Sequence, residues 1–295
     1  SAIKLGCWAG GYIDPAPRGT MLLGGGVSSP WGANSCLWLN AKGKRYCNEG
    51  NMSSANRATY LQESGIAVML VDANWALSAT GSGMEHGGPD FGRPQFWADM
   101  AAGMESEPDE NGQITIKTGT IMERGYTKMY KANSLEELLT LCGYDEATKK
   151  VALESIAHYN ELCHAGADTD YGKGKIAMIP IEKAPFYASV GSVGASAPTP
   201  AMVTMSGLIT NEEYQVMGME VVEVEAAAGG PGGGPGGPGG GKRKSVSFHP
   251  IKGLYAVGNA MGGRYGLGYS CPSAGNSIGM ACTNGFVAGQ IVAEQ

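Results

Sequence analysis

The chain has 295 residues, 43% of them apolar and 16% charged, with a net charge of −6. That is enough apolar mass for two packed domains and too much for a disordered chain. The acidic balance offers no basic face for neutralising phosphates, which excludes nucleic acid as a partner, and no run approaches the roughly 18 apolar residues of a membrane span. Residues 1–20 lack the basic start and apolar core of a signal peptide, and the compartment stays open because a targeting segment would lie upstream of residue 1. The seven cysteines, at 7, 36, 47, 142, 163, 271 and 282, form no close pair of zinc-binding spacing, and their odd number closes no complete disulfide set. Most read as small buried apolar residues.

In chain order, the first readable strand is 37–40, turning through Ala41, Lys42 and Gly43, and the second is the IAVMLV run at 66–71, followed by Asp72. Ser134 and Glu137 have the reciprocal capping spacing ahead of Leu138, Leu139 and Leu141, with Gly143 as the stop. Asp145 starts a second helix on which Val151, Ala152, Ile156, Tyr159, Leu162 and Cys163 recur at helical spacing up to Gly166. His158 and His164 on this helix lack an acidic or Cys partner at ligand spacing and read as ordinary histidines.

Strands 215–225 and 245–248 read as neighbours in a hairpin whose tip carries the Gly/Pro run 229–241. That run has no side chains to bury and reads as a flexible surface loop spanning on the order of 20 Å. The basic triplet Lys242, Arg243, Lys244 beside it reads as a solvated loop end. A short strand at 253–257 runs into Gly258, and a final helix at 276–294 carries Gly279, Ala281, Gly285, Ala288 and Gly289, small residues that let a helix pack close to a sheet. The connection between them is loaded with glycine and leads into a helix N-terminus, whose unpaired N–H groups suit an anion or the electron-rich edge of a ring.

The stretch GLYAVGN and the pattern Y-x-x-P-x-A-G-N-S at 269–277 resemble the C-terminal flavin-contacting segment of the FAD-dependent fumarate reductase and 3-ketosteroid dehydrogenase flavoproteins. IKLGCWAGGYIDPAP at 3–17, GKRYCNE at 43–49, the SLEELLTLCGYDEATKK stretch running from 134 to 173, and PIEKAPFYA agree with that family in order. The resemblance implies an α/β and α+β fold, the C-terminal portion of a Rossmann-like FAD-binding domain with an inserted α+β capping domain. Residues 1–24 and 185–295 would belong to the FAD-binding part and 25–184 to the cap. It implies FAD as cofactor, contacted by Gly258, Asn259, Ala274, Gly275, Asn276, Ser277 and Ile278. The family's opening strand, GxGxxG turn and helix are missing, and Gly24, Gly25 and Gly26 are not spaced for that turn. Because Ser1 resembles an internal point of the family, the chain reads as a C-terminal fragment, a processed chain or half of a split enzyme. An N-terminal half or an electron-donor protein is then the implied partner.

The chain departs from the fumarate reductases where their chemistry sits. Ser53 falls where the family's proton-donating Arg would be, leaving Arg57 as the nearest substitute. The preceding relay falls on Ser28, Ser29 and Gly32, the substrate-binding His falls near Val203, and the clamping Arg of the last loop is replaced. A dicarboxylate such as fumarate is therefore not expected. Tyr269 instead resembles a 3-ketosteroid dehydrogenase Tyr that polarises a substrate carbonyl, and a phenol suits an oxygen that becomes enolate-like as hydride moves to or from an enone. Arg264 and Tyr265 lie in the same loop and are candidates for binding substrate.

The expected activity is hydride transfer between flavin and an activated C=C bond of a small unsaturated molecule. A non-catalytic module that needs a second polypeptide to hold FAD is the alternative, separated from the first by whether the purified chain is yellow. A nucleophile at Cys271 or Ser273 has neither a nearby His in sequence nor a nucleophile-elbow motif.

Overall fold

The computed structural model of the protein describes residues 2–15, 20–21, 36–50, 52–81, 94–119, 124–192, 203–225, 242–265 and 276–295. In chain order the elements are α1 (Ala2–Trp8), β1 (Thr20–Met21), β2 (Leu37–Asn40), α2 (Met52–Tyr60), β3 (Ile66–Val71), α3 (Trp75–Gly81), α4 (Pro94–Glu105), β4 (Gln113–Gly119), β5 (Arg124–Ala132), α5 (Leu135–Leu141), α6 (Glu146–Ala165), β6 (Phe186–Ser192), β7 (Val203–Thr204), β8 (Gln215–Glu225), β9 (Lys242–Tyr255) and α7 (Asn276–Ala293). They gather into two compact units. One comprises Ser1–Gly19, Thr204–Leu267 and Gly275–Gln295, and the other Thr20–Val203 with Gly268–Ala274.

The second unit is built on a five-stranded antiparallel sheet of order β2-β3-β6-β5-β4. At β2 and β3 both faces of this sheet are buried, which is why IAVMLV is apolar throughout. Its alternate residues feed two cores: Ala67, Met69 and Val71 join Trp38, Met100, Met104 and Ile116 on one side. Val68 and Leu70 join Leu37, Leu39, Leu138, Leu139 and Ile156 on the other. The mixed α/β character expected of the chain is present. The helix and strands α4, β4 and β5, in a stretch where no elements were expected, supply much of the first core.

The two helices covering the second core start on side-chain caps. Ser134 Oγ accepts from Glu137 N at 3.1 Å and Asp145 Oδ1 accepts from Thr148 N at 2.8 Å. The longer helix ends at Gly166, whose left-handed φ of 70° lets the last carbonyls be capped. His158 and His164 are exposed and lie 2.9 Å and 2.6 Å from Asp170 and Glu182, carboxylates brought in by the chain beyond the helix.

The GKRYCNE stretch forms the electrostatic centre of this unit. Arg45 donates to both oxygens of Glu49 and both of Asp168 at 2.7–3.0 Å, and its guanidinium lies 5.0 Å and 5.1 Å from the rings of Tyr159 and Tyr171. Glu49 also accepts from Trp38 N, and Lys173 Nζ, fully buried, donates to Cys36 O and Tyr159 OH. Burial works against a charged guanidinium at Arg45, but the two carboxylates outweigh it and raise its pKa further. Burial would likewise raise the Asp168 carboxyl, yet the Arg45 hydrogen bond and the Lys173 N–H pull it down to about 2. The motif is thus a buried clamp joining β2, the following turn and the segment after α6.

The other unit holds the antiparallel hairpin β8–β9, in which Met219 faces Phe248 and Glu225 faces Lys242, with a bulge between Gln215 and Met217. The short strand expected at 253–257 is the end of a much longer one, and the basic triplet starts that strand instead of ending a loop, with Glu223 opposite Lys244 and its carboxylate 3.6 Å from Lys242 Nζ. The run 229–241 lies outside the described residues. Helix α7 departs from expectation: Ala288 is buried, but Gly279, Gly285 and Gly289 face open space, with Ile278 and Phe286 72% and 69% exposed. Its close packing is made by alanines, Ala281 against Gly258 and Ala288, and its glycines meet no sheet among the described residues. Among the six described cysteines only Cys36 and Cys47 are buried, and Cys282 is exposed. No described helix is long and apolar enough to cross a membrane.

Arg45→Met leaves two carboxylates buried against Lys173 alone and is expected to lower stability by about 3–5 kcal/mol in urea unfolding. The Asp168 pKa is depressed on folding, so its contribution is present at neutral pH and is lost as pH falls from about 4 towards about 2. Asp168→Asn should flatten that limb of a pH–stability curve.

Candidate functional site

In the unit containing the hairpin, three stretches far apart in sequence are laced together by backbone bonds. Tyr12 N donates to Met217 O and Tyr12 O accepts from Ile209 N, both at 2.8 Å, while Asp14 N donates to Gly207 O at 2.9 Å. Leu208 N in turn donates to Ala260 O at 2.8 Å, and its carbonyl accepts from Gly262 N at 2.8 Å. The Asp14 carboxylate completes the lacing by accepting from Gly263 N at 3.0 Å and Gly207 N at 3.3 Å. There is no room here for side chains: a Cβ on Gly207 would run into the Met261–Gly262 peptide, and one on Gly262 into the Asp14 carboxylate.

From this anchored base the chain leaves β9 through buried Ala256, makes one 3-10 turn at Gly258–Ala260 and arrives at Arg264. Gly258 has φ 55°, and a Cβ there would come 3.0 Å from Ala281 Cβ, so the turn lies directly on α7. Asn259 links the parts: its Oδ1 accepts from Arg264 Nη2 and from Ser277 Oγ, each at 3.0 Å. Arg264 Nε donates to Met261 O at 3.2 Å, the guanidinium lies 5.3 Å from the Tyr265 ring, and Nη1 is buried with no hydrogen-bond partner among the described residues. Tyr265 OH and Asn276 Nδ2 both approach the Met280 sulfur, at 3.8 and 3.7 Å.

Of the residues singled out in the sequence, Gly258, Asn259, Arg264, Tyr265, Asn276 and Ser277 come together in this cluster. Ile278 follows on the same helix but points to solvent. Arg57 belongs to the other unit, in the last turn of α2, where it is exposed. Tyr269, Ala274 and Gly275 lie outside the described residues, as do Cys271 and Ser273. Asp14, Gly207, Gly262 and Met280 escaped the sequence reading; the paired glycines 262–263 were the available signal. Cys47 and Cys142 are unsuited to nucleophilic work, since burial raises both thiols, that of Cys142 to about 12.

Close backbone at Gly258, a cation with a buried N–H to spare, and the amide N–H groups of Asn259 suit a group rich in oxygen and nitrogen acceptors, as FAD is. The FAD binding domain family model matches residues 20–278, and the chain belongs to that family, with FAD as its cofactor. Among individual proteins, the chain is 24% identical over 291 residues to vinyl phenol reductase of Lactiplantibacillus plantarum (strain ATCC BAA-793 / NCIMB 8826 / WCFS1), an alignment covering 97% of this chain and 48% of the relative. It is 26% identical over 190 residues to 4-oxocyclohex-2-ene-1-carboxylate 5-dehydrogenase of Sinomonas cyclohexanicum, covering 59% of this chain and 25% of the relative. The 3-ketosteroid delta1-dehydrogenase of Sterolibacterium denitrificans, solved in complex with 1,4-androstadiene-3,17-dione, shares the fold at a TM-score of 0.51 and 20% identity, over 99% of this chain and 46% of that one. The chain therefore spans about half the length of vinyl phenol reductase and less of the other curated relative.

Because a Cβ at position 262 would strike Asp14, Gly262→Ala is expected to cost about 1–3 kcal/mol in thermal unfolding. Asp14→Ala should cost a similar amount by orphaning the amides of Gly207 and Gly263. The double variant should be less destabilised than the sum, because removing the carboxylate makes the room that the added methyl group needs. Additive costs would show that the two positions do not meet.

Proposed function

We propose that the chain works in an FAD-dependent oxidoreductase that moves hydride between flavin and an activated C=C bond, in an enone or enoate other than fumarate. The observation that carries this reading is the Asn259-centred cluster, in which Gly258, Arg264, Ser277 and the start of α7 converge on one loop. FAD, when bound, supplies the centre that takes or gives the hydride. Gly258, Asn259, Ala274, Gly275, Asn276, Ser277 and Ile278 are assigned to holding it, with amide donors for its electron-rich edge.

Tyr269 is assigned as the phenol that hydrogen-bonds the substrate oxygen as charge develops there. Arg57 is assigned as the proton donor, and Arg264 and Tyr265 as substrate-binding residues. The relatives support the activated C=C bond: one is named for a vinyl phenol, whose alkene is conjugated to its ring, and another for a ring that carries a ketone, a C=C bond and a carboxylate. The division of the chain at 19/20 and 203/204 supports a cofactor-binding part made from both ends and a capping part; a Rossmann-like character for the first and an α+β one for the second are assigned from the family resemblance alone.

A second reading, that the chain binds FAD only with a partner polypeptide, is favoured by α7. That helix carries no charged residue among its 18 and exposes Ile278, Phe286 and Val292.

Absorbance of the purified chain, scanned with and without added FAD, tests the two. Flavin bands at near-equal stoichiometry are expected if this chain holds the cofactor alone. Tyr269→Phe should then keep the bands while slowing enone turnover by about 100-fold. A colourless chain that acquires flavin only in a complex would favour the second reading, and unchanged turnover in the Phe variant would remove Tyr269 from the mechanism.

A further inference from the structure

The two arginines that the structure describes most fully stand in opposite electrostatic situations. Arg45 is buried, but two carboxylates meet its charge and every donor aimed inward has an acceptor. Arg264 is half-buried, and among the described residues no carboxylate pairs with it. Its Nε and Nη2 are committed to Met261 O and Asn259 Oδ1, the Tyr265 ring covers it, and Nη1 is buried with no partner among the described residues. An arginine can neither shed its proton nor accept a hydrogen bond, so a buried N–H of this kind calls for an acceptor beyond the described residues.

The orientation of Asn259 follows from the same bond. Only the oxygen end of its amide can face a guanidinium, and Ser277 Oγ donates to that oxygen as well. With both lone pairs of Oδ1 engaged, the remaining polar end of Asn259 is the Nδ2 amino group, which has no acceptor among the described residues. Two groups of unengaged donors, one of them cationic and held in place from three sides, therefore lie on one loop.

We infer that Arg264 and Asn259 form a recognition site for an oxyanion, a carboxylate or a phosphate, with Arg264 Nη1 and Asn259 Nδ2 as its donors. The assignment deepens the flavoenzyme reading and rests on it only for the source of the oxyanion, either the carboxylate of an enoate substrate or a phosphate of the dinucleotide. The polarity is specific: an acceptor is bound, and an ammonium, which offers donors alone, is not.

Calorimetric titration of the full chain with 3-phenylpropanoate, its neutral amide and ADP tests this, with and without FAD. One of the two anions should bind at least about tenfold more tightly than the amide. Arg264→Gln should weaken that anion by about 10- to 100-fold and leave the amide unchanged. Asn259→Asp keeps an acceptor for Arg264 and Ser277 but gives the arginine an internal counter-ion, and should weaken the same anion at least as much. Should Arg264→Gln fail to fold, Asn259→Asp and Arg264→Lys carry the test, Lys keeping the charge and part of the affinity.

A preference for 3-phenylpropanoate assigns the site to substrate, and a preference for ADP assigns it to the cofactor. Equal binding of anion and amide, no binding of either anion, or native affinity in the variants overturns the site. Flavin absorbance of the same samples separates the two claims. Arg264-dependent anion binding in a chain that takes up no flavin, alone or in complex, would remove the flavoenzyme reading and leave the site standing.

Discussion

The carboxylate of Asp14 accepts hydrogen bonds from the backbone of Gly207 and of Gly263, residues 193 and 249 positions further along the chain. Those two bonds hold together the parts of the molecule that build the candidate site. The segment 12–14 threads between Met217 and 207–209, the latter pairs with 260–262, and from that point the loop turns up to Asn259 and Arg264. A carboxylate is well suited to the task, because it offers several acceptor sites and binds amides more strongly than a neutral oxygen does. The absence of side chains at Gly207 and Gly262 follows from it, since the carboxylate and the peptides it gathers occupy the space a Cβ would need.

The two units solve the burial of charge differently, and the contrast separates structure from function. In the sheet unit, Arg45, Glu49, Asp168 and Lys173 neutralise one another inside a shell of Tyr159 and Tyr171. The GKRYCNE motif is thereby explained without any ligand: its Arg and Glu tie β2 to the chain beyond α6. In the hairpin unit, the charge of Arg264 is fixed in place with no counter-ion among the described residues. A closed network gives stability, whereas an open one keeps a donor available.

What could be read from the sequence divides along similar lines. The caps at Ser134 and Asp145, the stop at Gly166 and the run IAVMLV were legible because each is a local signal, complete within a few residues. Strand β4 was equally local: Ile114 and Ile116 are buried between more exposed Gln113, Thr115 and Lys117, an alternation that went unread beside stronger signals. Helix α4 carried its signal in Phe96, Met100 and Met104, four residues apart. The glycine loop at 258–265 was visible as a candidate site from its composition. Asp14 was not, because nothing in its neighbourhood records that its partners lie at 207 and 263.

Helix α7 joins these threads. Its first turn contributes Ser277 to Asn259, and one turn later Ala281 sits against Gly258, so the polar contact and the close packing are made by the same end of the same helix. A side chain at 258 would come within 3.0 Å of Ala281 Cβ, pushing the loop from the helix and lengthening the Ser277–Asn259 bond with it. Asn259 would then lose one of the two donors that saturate its oxygen, leaving Arg264 alone to keep its amino group turned outward. The loop's display of donors thus rests on the close approach of Gly258 to Ala281 as well as on the polar residues that carry them.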